Sequence, residues 1–457
     1  MPDVNQHEIV IIGAGPGGIA AGVKLKAAGF HDFVMLEKAD EVGCTWRDNV
    51  YPGLTVDIPT ITYSFSFHKN PDWSNLYAPQ PELFAHLRNV VEEHGLRSHL
   101  RLGSTVADSR FDPESGLWHT TLEGGGSYVS RFLISATGFL STPKWPDIEG
   151  LDEFEGKKMH TSGWDNDSDL AGKRVAFIGT GATGIQLIPE VVDAGVDALH
   201  VFQRTPIFLL PKADLSVAKP VRTAYDWGCK RPSFSNVFYP VFNRPEVELV
   251  TEPIARLTRT GIVTGDGVER PIDVLVCGTG FHPYGKESTP TYPVYGSSGE
   301  DLREYWDRNR YQAVRGFAIN GYPNFFMIGG PYAIAHSSYI GMIESVVHNI
   351  VRVLGAARRG GADRVEVSAR SQAREFEHIL RKRGSQIFFV GNCGSSNTYY
   401  IDRFGDTPNF RPTYHPNVWW DSRFGKIEPH FEMTRGRTGR VTDPTPVGSA
   451  AGPGEPR

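Results

Sequence analysis

An apolar run at residues 8–12 leads directly into the glycine-rich turn GAGPGG at residues 13–18. Residues 19–28 then carry apolar positions at helical spacing, and residues 33–37 form a second apolar run ending on Glu37. Strand, turn, helix, strand is the order of a βαβ unit. The pattern returns with a strand at 174–178, the turn GTGATG at 179–184, a helix at 185–194 and a strand at 198–202. The chain is thereby expected to be α/β, with two Rossmann-like dinucleotide-binding domains. Strands at 63–67, 118–122 and 128–134 and a helix at 81–93 are expected as structure inserted in the first unit. Pro143, Pro146, Gly150 and Gly156 punctuate an acidic stretch suited to a domain crossover. Further on, a strand at 272–277 enters GTGF at 278–281, a strand at 324–328 enters Gly329-Gly330-Pro331, and a long apolar helix spans about 338–354. The expected organisation is residues 1–148 as the first part of the first nucleotide domain, 149–272 as the second domain, 273–433 returning to the first, and 434–457 as a disordered tail.

Composition narrows the ligands. A chain of 457 residues exceeds the roughly 250–300 that one core serves, so two or three domains are expected. A net charge of -5 with 22% charged residues gives no basic excess to attract nucleic acid or an anionic membrane, and a small-molecule substrate fits better. Apolar runs such as residues 9–12 fall far short of the roughly 18 a membrane span needs, which points to a cytoplasmic protein. Cys44, Cys229, Cys277 and Cys393 stand far apart with no C-x-x-C pair, against a disulfide framework, a zinc site or a redox dithiol. No heptad or apolar stripe points to a partner chain, and the oligomeric state is left open.

Each glycine of the first turn has a mechanical reason. Gly13 makes the tight turn, Gly15 lets a pyrophosphate approach the backbone, and Gly18 allows close helix packing. Glu37, 24 residues after Gly13, is the acid that would hydrogen-bond a ribose hydroxyl. The second turn ends differently. Its strand closes on Phe202-Gln203-Arg204-Thr205, without a carboxylate, and a guanidinium at 204 can grip a 2'-phosphate that a carboxylate would repel. NADPH rather than NADH is the expected ligand there.

Further segments carry a family resemblance. FEGKKMHTSGWD at residues 154–165 matches F-x-G-x-x-x-H-x-x-x-W-[PD] at each fixed position, just ahead of the second glycine turn. With it stand TWRDN at 45–49, YPG at 51–53, Asp57, SATGFLS at 135–141, GTGATGIQ at 179–186, VFQRTP at 201–206, GCKR at 228–231, GTGF at 278–281 and HSS at 336–338. In this order, over about residues 8–425, the chain resembles the Baeyer-Villiger branch of the flavin monooxygenases. The resemblance implies FAD held by Gly13, Gly15, Gly18, Glu37, Thr45, Trp46 and Asp57. It implies NADPH held by Gly179, Thr180, Gly181, Gly184, Gln186, Arg204, Thr205, Lys230 and Tyr399. It further implies that oxygen is inserted beside a ketone carbonyl to give an ester or lactone. The reaction would run through a C4a-peroxyflavin stabilised by Arg231, with Asp57 orienting that arginine. Preorganised charge of this kind is worth about 3–4 kcal/mol. His160 and Trp164, at the domain crossover, are expected to be structural or domain-coupling residues.

The chain departs from the family's pattern at three places. Gly228 follows Pro206 by only 22 residues, so the family's helical insertion is shortened or absent, which would open the site to a bulky or carrier-bound ketone or let reducing equivalents leak. Tyr399 stands where relatives often have tryptophan, and Cys44 where many have glycine. Two other readings stay open at this point: an N- or S-oxygenating flavin monooxygenase, and an uncoupled NADPH-oxidase-like flavoprotein.

Overall fold

The computed structural model describes residues 4–207, 209–212, 233–284, 288–335, 338–390 and 400–435. Strand β1 (Val4–Ile12) buries Ile9, Val10, Ile11 and Ile12 on alternating sides, as a central parallel strand covered on both faces must. Helix α1 (Pro16–Ala27) starts on a proline, whose missing N–H costs nothing in a first turn, and returns the chain to β2 (Phe33–Leu36), parallel to β1. Short α2 (Thr45–Asp48), then α3 (Gln80–Glu93), lead to the edge strand β3 (Leu100–Arg101). Strands β4 (Val106–Asp112), β5 (Leu117–Leu122) and β6 (Ser127–Ser135) make an antiparallel meander whose last strand runs parallel to β1 on its other side.

The second unit has its own parallel sheet. β7 (Lys157–His160), β8 (Arg174–Ile178), helix α4 (Ala182–Asp193) and β9 (Ala198–Phe202) come first. The short pair β10 (Leu209–Leu210) and β11 (Ser233–Phe234) follows, then α5 (Phe238–Val241), β12 (Val247–Val250), and an antiparallel flap of β13 (Ile254–Leu257), β14 (Gly261–Thr264) and β15 (Glu269–Pro271). β16 (Val274–Cys277) then inserts between β8 and β7, giving the order β12-β9-β8-β16-β7. The remaining chain supplies β17 (Val294–Tyr295), α6 (Leu302–Asn309), β18 (Phe325–Met327), α7 (Tyr339–Gly360), β19 (Arg364–Val367), α8 (Ala369–Lys382), α9 (Ile387–Val390), α10 (His415–Phe424) and β20 (Phe431–Thr434). β17 joins β4 and β18 joins β6, completing the first sheet.

Four expectations change. Residues 63–67 form turns rather than a strand: Phe65 and Phe67 stack at 4.8 Å, and the backbone N–H and hydroxyl of Ser66 both donate to Glu344 Oε1 at 2.8 Å, leaving no ladder partner. The boundary at 272/273 is too early, because β16 pairs with β7 and β8 and belongs to the second unit. Thr434, expected to open the disordered tail, instead closes β20, paired with β19, and residues 436–457 lie outside the described residues. Finally, α10 does present an aromatic face: Tyr414, Trp419, Trp420 and Phe424 are exposed on or just before it. Sequence spacing missed this because three of the rings sit on one short helix and the fourth, Tyr414, stands at its N-cap. Helix α7 is long and apolar enough by composition to cross a membrane, yet Ile343, Val346, Val347, Ile350 and Leu354 are buried in the first unit's core, where α7 packs on α1.

Candidate active site

The two glycine turns are built alike. The Gly13 N–H donates to Leu36 O at 2.8 Å, and the Gly179 N–H donates to Phe202 O at 3.0 Å. Both glycines lie in left-handed space, at φ +102° and +106°. A Cβ at Gly13 would meet Ala136 O at 2.7 Å, and one at Gly179 would meet Gly278 O at 2.5 Å. At Gly18 and Gly184 it would strike the carbonyls of Gly13 and Gly179 at 1.9 and 2.6 Å, so close helix packing itself demands glycine there. Gly181 is different. Its backbone is extended and a Cβ would meet nothing within 4 Å, so the protein's own packing does not require a glycine at that position. The space lies before the N-terminus of α4, where uncapped N–H groups and the helix dipole favour a phosphate. Gly15 occupies the same place before α1, likewise without a side-chain cap, and a Cβ there would meet Cys44 Cβ at 2.9 Å. Both cradles therefore fit a dinucleotide pyrophosphate.

The strand ends that follow differ in charge. Glu37, one residue beyond β2, is 4% exposed; its carboxylate accepts from the N–H groups of Ala14 (2.8 Å) and Ala39 (3.2 Å) and from Arg47 Nη1 (3.1 Å). Gln203, one residue beyond β9, stands at the equivalent place, and its amide donates to Thr180 Oγ1 at 2.9 Å. A neutral amide thus replaces the acid, and Thr180, the counterpart of Ala14, ties it down. Arg204 follows and is exposed. Thr205, half-buried, has contacts of its own.

Beside the first cradle, Thr45 and Trp46 open α2. Trp46 is buried; its Nε1 donates to Tyr63 Oη at 3.1 Å, and its carbonyl accepts from Gln80. Cys44 precedes them at φ +48°, the conformation that glycine at this position would adopt without strain. Burial pushes its thiol pKa up, and burial raises Cys277 to about 12, so neither is a thiolate near neutral pH.

Residues 51–57 bridge the two units. Tyr51, 7% exposed, packs into the second unit's core beside α4. Its hydroxyl donates to Gln186 Oε1 at 3.3 Å, while Gln186 Nε2 donates to Thr55 O at 3.0 Å. Burial pushes the Tyr51 hydroxyl up to about 12, opposed by Thr183 and reinforced by the nearby charge of Asp57. Asp57 is half-buried and already engaged by other groups. Gln186, expected among the cofactor ligands, thus directs its amide to this strap.

Two linkers cross between the units, and they pair with each other. The Lys144 N–H donates to Gly280 O at 2.8 Å and the His282 N–H to Thr142 O at 3.0 Å. His160, at the end of β7, accepts from the Ser162 N–H on Nδ1 (3.2 Å), which puts its ring proton on Nε2, facing Gly280 O at 3.1 Å. Burial holds its pKa below the usual histidine value, so it is a neutral donor pinning the return linker. Trp164 is buried in the second unit's core. Lys230, Arg231 and Tyr399 lie outside the described residues, as do His336 and most of the stretch between Pro206 and Gly228, where the family's insertion is expected to be shortened or absent. Sequence reasoning missed Arg47 as the partner of Glu37, and nothing in its spacing signals that role.

A protein that binds two dinucleotides in one chain is the class this architecture defines. A profile of the pyridine nucleotide-disulphide oxidoreductase family matches residues 10–286, and the chain belongs to that family, although its cysteines offer no C-x-x-C dithiol. A Baeyer-Villiger monooxygenase of Streptomyces coelicolor is 34% identical, over 88% of each chain. Among solved structures, a closed cyclohexanone monooxygenase superposes with a TM-score of 0.82 at 25% identity over 95% of this chain and all of that one. An oxidized steroid monooxygenase bound to NADP gives 0.80 at 25% identity over 94% of this chain and all of that one. The chain belongs to the Baeyer-Villiger monooxygenase family: it is a flavin-dependent monooxygenase that uses FAD and NADPH.

Proposed function

We propose that this enzyme inserts one atom of dioxygen between the carbonyl carbon of a small-molecule ketone and its neighbour, releasing an ester or lactone, water and NADP+. Bound FAD and NADPH supply the electrons and the activation of oxygen. The chain's own part is positional and electrostatic. Uncapped N-termini of α1 and α4 receive the two pyrophosphates, Glu37 serves the flavin side, and Arg204 takes the 2'-phosphate. Arg231, protonated at any working pH, offsets the charge that develops on the ketone oxygen as its carbon becomes tetrahedral, with Asp57 setting the guanidinium's direction.

The observation that carries this reading is the place of the family signature segment. His160, at its centre, holds the carbonyl of Gly280 where both interdomain linkers cross, so the signature governs how the two cofactor units meet. The test is oxidation of a panel of cyclic, linear and bulky ketones with NADPH in air, with products identified by mass spectrometry. Arg231→Ala should lose ester formation by about 100-fold or more while still being reduced by NADPH. NADPH consumption that no ketone accelerates, with hydrogen peroxide as the sole oxygen product, overturns the proposal; undiminished ester formation by Arg231→Ala overturns the role of the arginine.

A further inference from the structure

Residues 51–57 are fastened on two sides. Toward the first unit, the Val56 N–H donates to Ala78 O and the Gln80 N–H donates to Leu54 O, both at 3.0 Å. Toward the second unit, Gln186 accepts from the Tyr51 hydroxyl and donates to the backbone carbonyl of Thr55, and its Nε2 also reaches Thr55 Oγ1 at 3.4 Å. The strap backbone lies directly on α4. A Cβ at Gly53 would be 2.9 Å from Gln186 O and 2.8 Å from Glu190 Cγ, and with φ at +75° only glycine permits that approach without strain. Asp57 sits two residues past the clasped Thr55.

We propose that Gln186 is a positioning residue rather than a cofactor ligand: it locks the strap bearing Asp57 to helix α4, so that the second unit and that carboxylate move together. The amide is suited to this because it donates to one end of the strap and accepts from the other, a pairing that a carboxylate or a hydrocarbon of the same size cannot make. Thr183, one turn earlier on α4, stands 3.5 Å from the Tyr51 hydroxyl and supports the same end. The inference rests on the proposed function, in which Asp57 orients Arg231. It gives the two-unit arrangement a specific mechanical link: a shift of α4 that broke the clasp would also release the carboxylate.

Gln186→Leu and Tyr51→Phe test it, both in the FAD-loaded enzyme. NADP+ affinity, read by quenching of tryptophan fluorescence, should change by less than about twofold. Hydrogen exchange at the Val56 amide should accelerate by about tenfold, and kcat for ketone-dependent NADPH oxidation should fall by about tenfold with KM little altered. The double variant should lose no more than either single one, because both remove the same link. A tenfold weakening of NADP+ binding by Gln186→Leu would make the residue a cofactor ligand and overturn the proposal, as would unchanged exchange and kcat in both variants. Failure of the proposed function reads differently: the unmodified enzyme would form no ester, while the exchange measurement would still decide whether the clasp holds the strap.

Discussion

The buried carboxylate of Glu37 is the anchor of the first turn, and Glu37→Gln is the substitution that measures it. The side chain is 4% exposed and accepts three hydrogen bonds, from Ala14, Ala39 and the half-buried guanidinium of Arg47. Glutamine keeps one acceptor oxygen and turns an N–H2 toward whichever donors remain. At least one charge-assisted bond, worth about 1.5–3 kcal/mol, is lost, and a donor is left facing a donor. Arg47 also loses one of its carboxylates and keeps only Asp48. Because Asp48 and the Glu41 carbonyl still hold the Arg47 guanidinium, the expected loss of unfolding free energy is that of the lost charge-assisted bond, about 1.5–3 kcal/mol. Against a total of about 5–15 kcal/mol for a typical domain, this should also appear as weakened FAD retention. Urea unfolding followed by circular dichroism, with and without added FAD, measures the first; equilibrium dialysis measures the second. The expected result is a lower midpoint with an unchanged slope and FAD lost at concentrations the unmodified enzyme tolerates. A variant within about 1 kcal/mol of the parent would refute the claim that the carboxylate organises the turn.

Two glycines of the second turn should separate cleanly. Gly184→Ala places a methyl 2.6 Å from the Gly179 carbonyl and should lower the melting temperature of the FAD-loaded enzyme by several degrees. Gly181→Ala meets no protein atom within 4 Å and should melt like the parent while binding NADP+ about tenfold more weakly or worse; equal NADP+ affinity would show that the open space is not the phosphate site. His86, buried against Trp73 and His68 with no partner for Nε2 among the described residues, has its pKa lowered to about 4, first by burial and then by the charge of His68. The unfolded chain takes up that proton first, at a pKa of about 6.5. Stability from this group is therefore complete above pH 6.5 and drains away as pH falls to about 4. Denaturation midpoints measured at intervals between pH 7 and 4 should fall less steeply for His86→Gln than for the parent, and parallel curves would reject the assignment.

The twin βαβ units were legible because each is a local pattern: an apolar strand, glycines at fixed spacing and a helix, with the decisive contacts made within about 40 residues. Both central strands and both nucleotide-binding helices lie where the apolar periodicity places them. The misreadings share a different cause. β16 looks like the start of a return to the first unit because it is far in sequence from β8, yet it inserts beside β8 through long-range pairing that no local pattern encodes. Residues 63–67 alternate like a strand, but their alternation serves packing of Phe65 and Phe67 beside α7, and Glu344 captures the backbone donor that a ladder would need. At the candidate site, the positions of Glu37 and Arg204 just past the two strands were legible, while their roles toward the cofactors stay part of the proposed function. Arg47, and the direction of the Gln186 amide, were not legible, because each depends on which distant loop folds back against it.

The two units differ at the strand end, where the proposed function places the choice of ligand. Their backbones coincide in the hydrogen bond from the first glycine, in the positive φ of that glycine and in the carbonyl that excludes a Cβ from the last one. Geometry of the turn therefore cannot distinguish one dinucleotide from another. What differs is the first side chain past the second strand and its immediate neighbour. In the first unit a carboxylate is held rigid by three donors. In the second, an amide bonded to Thr180 leaves no negative charge, and an arginine follows it into solvent. A 2'-phosphate carries a charge of about -2, so the sign at this one position decides whether its approach is opposed or assisted, while the helix dipole behind it is the same in both units. Under the proposed function, Arg204 past the second strand and Glu37 past the first are what direct a 2'-phosphate to the second cradle and away from the first.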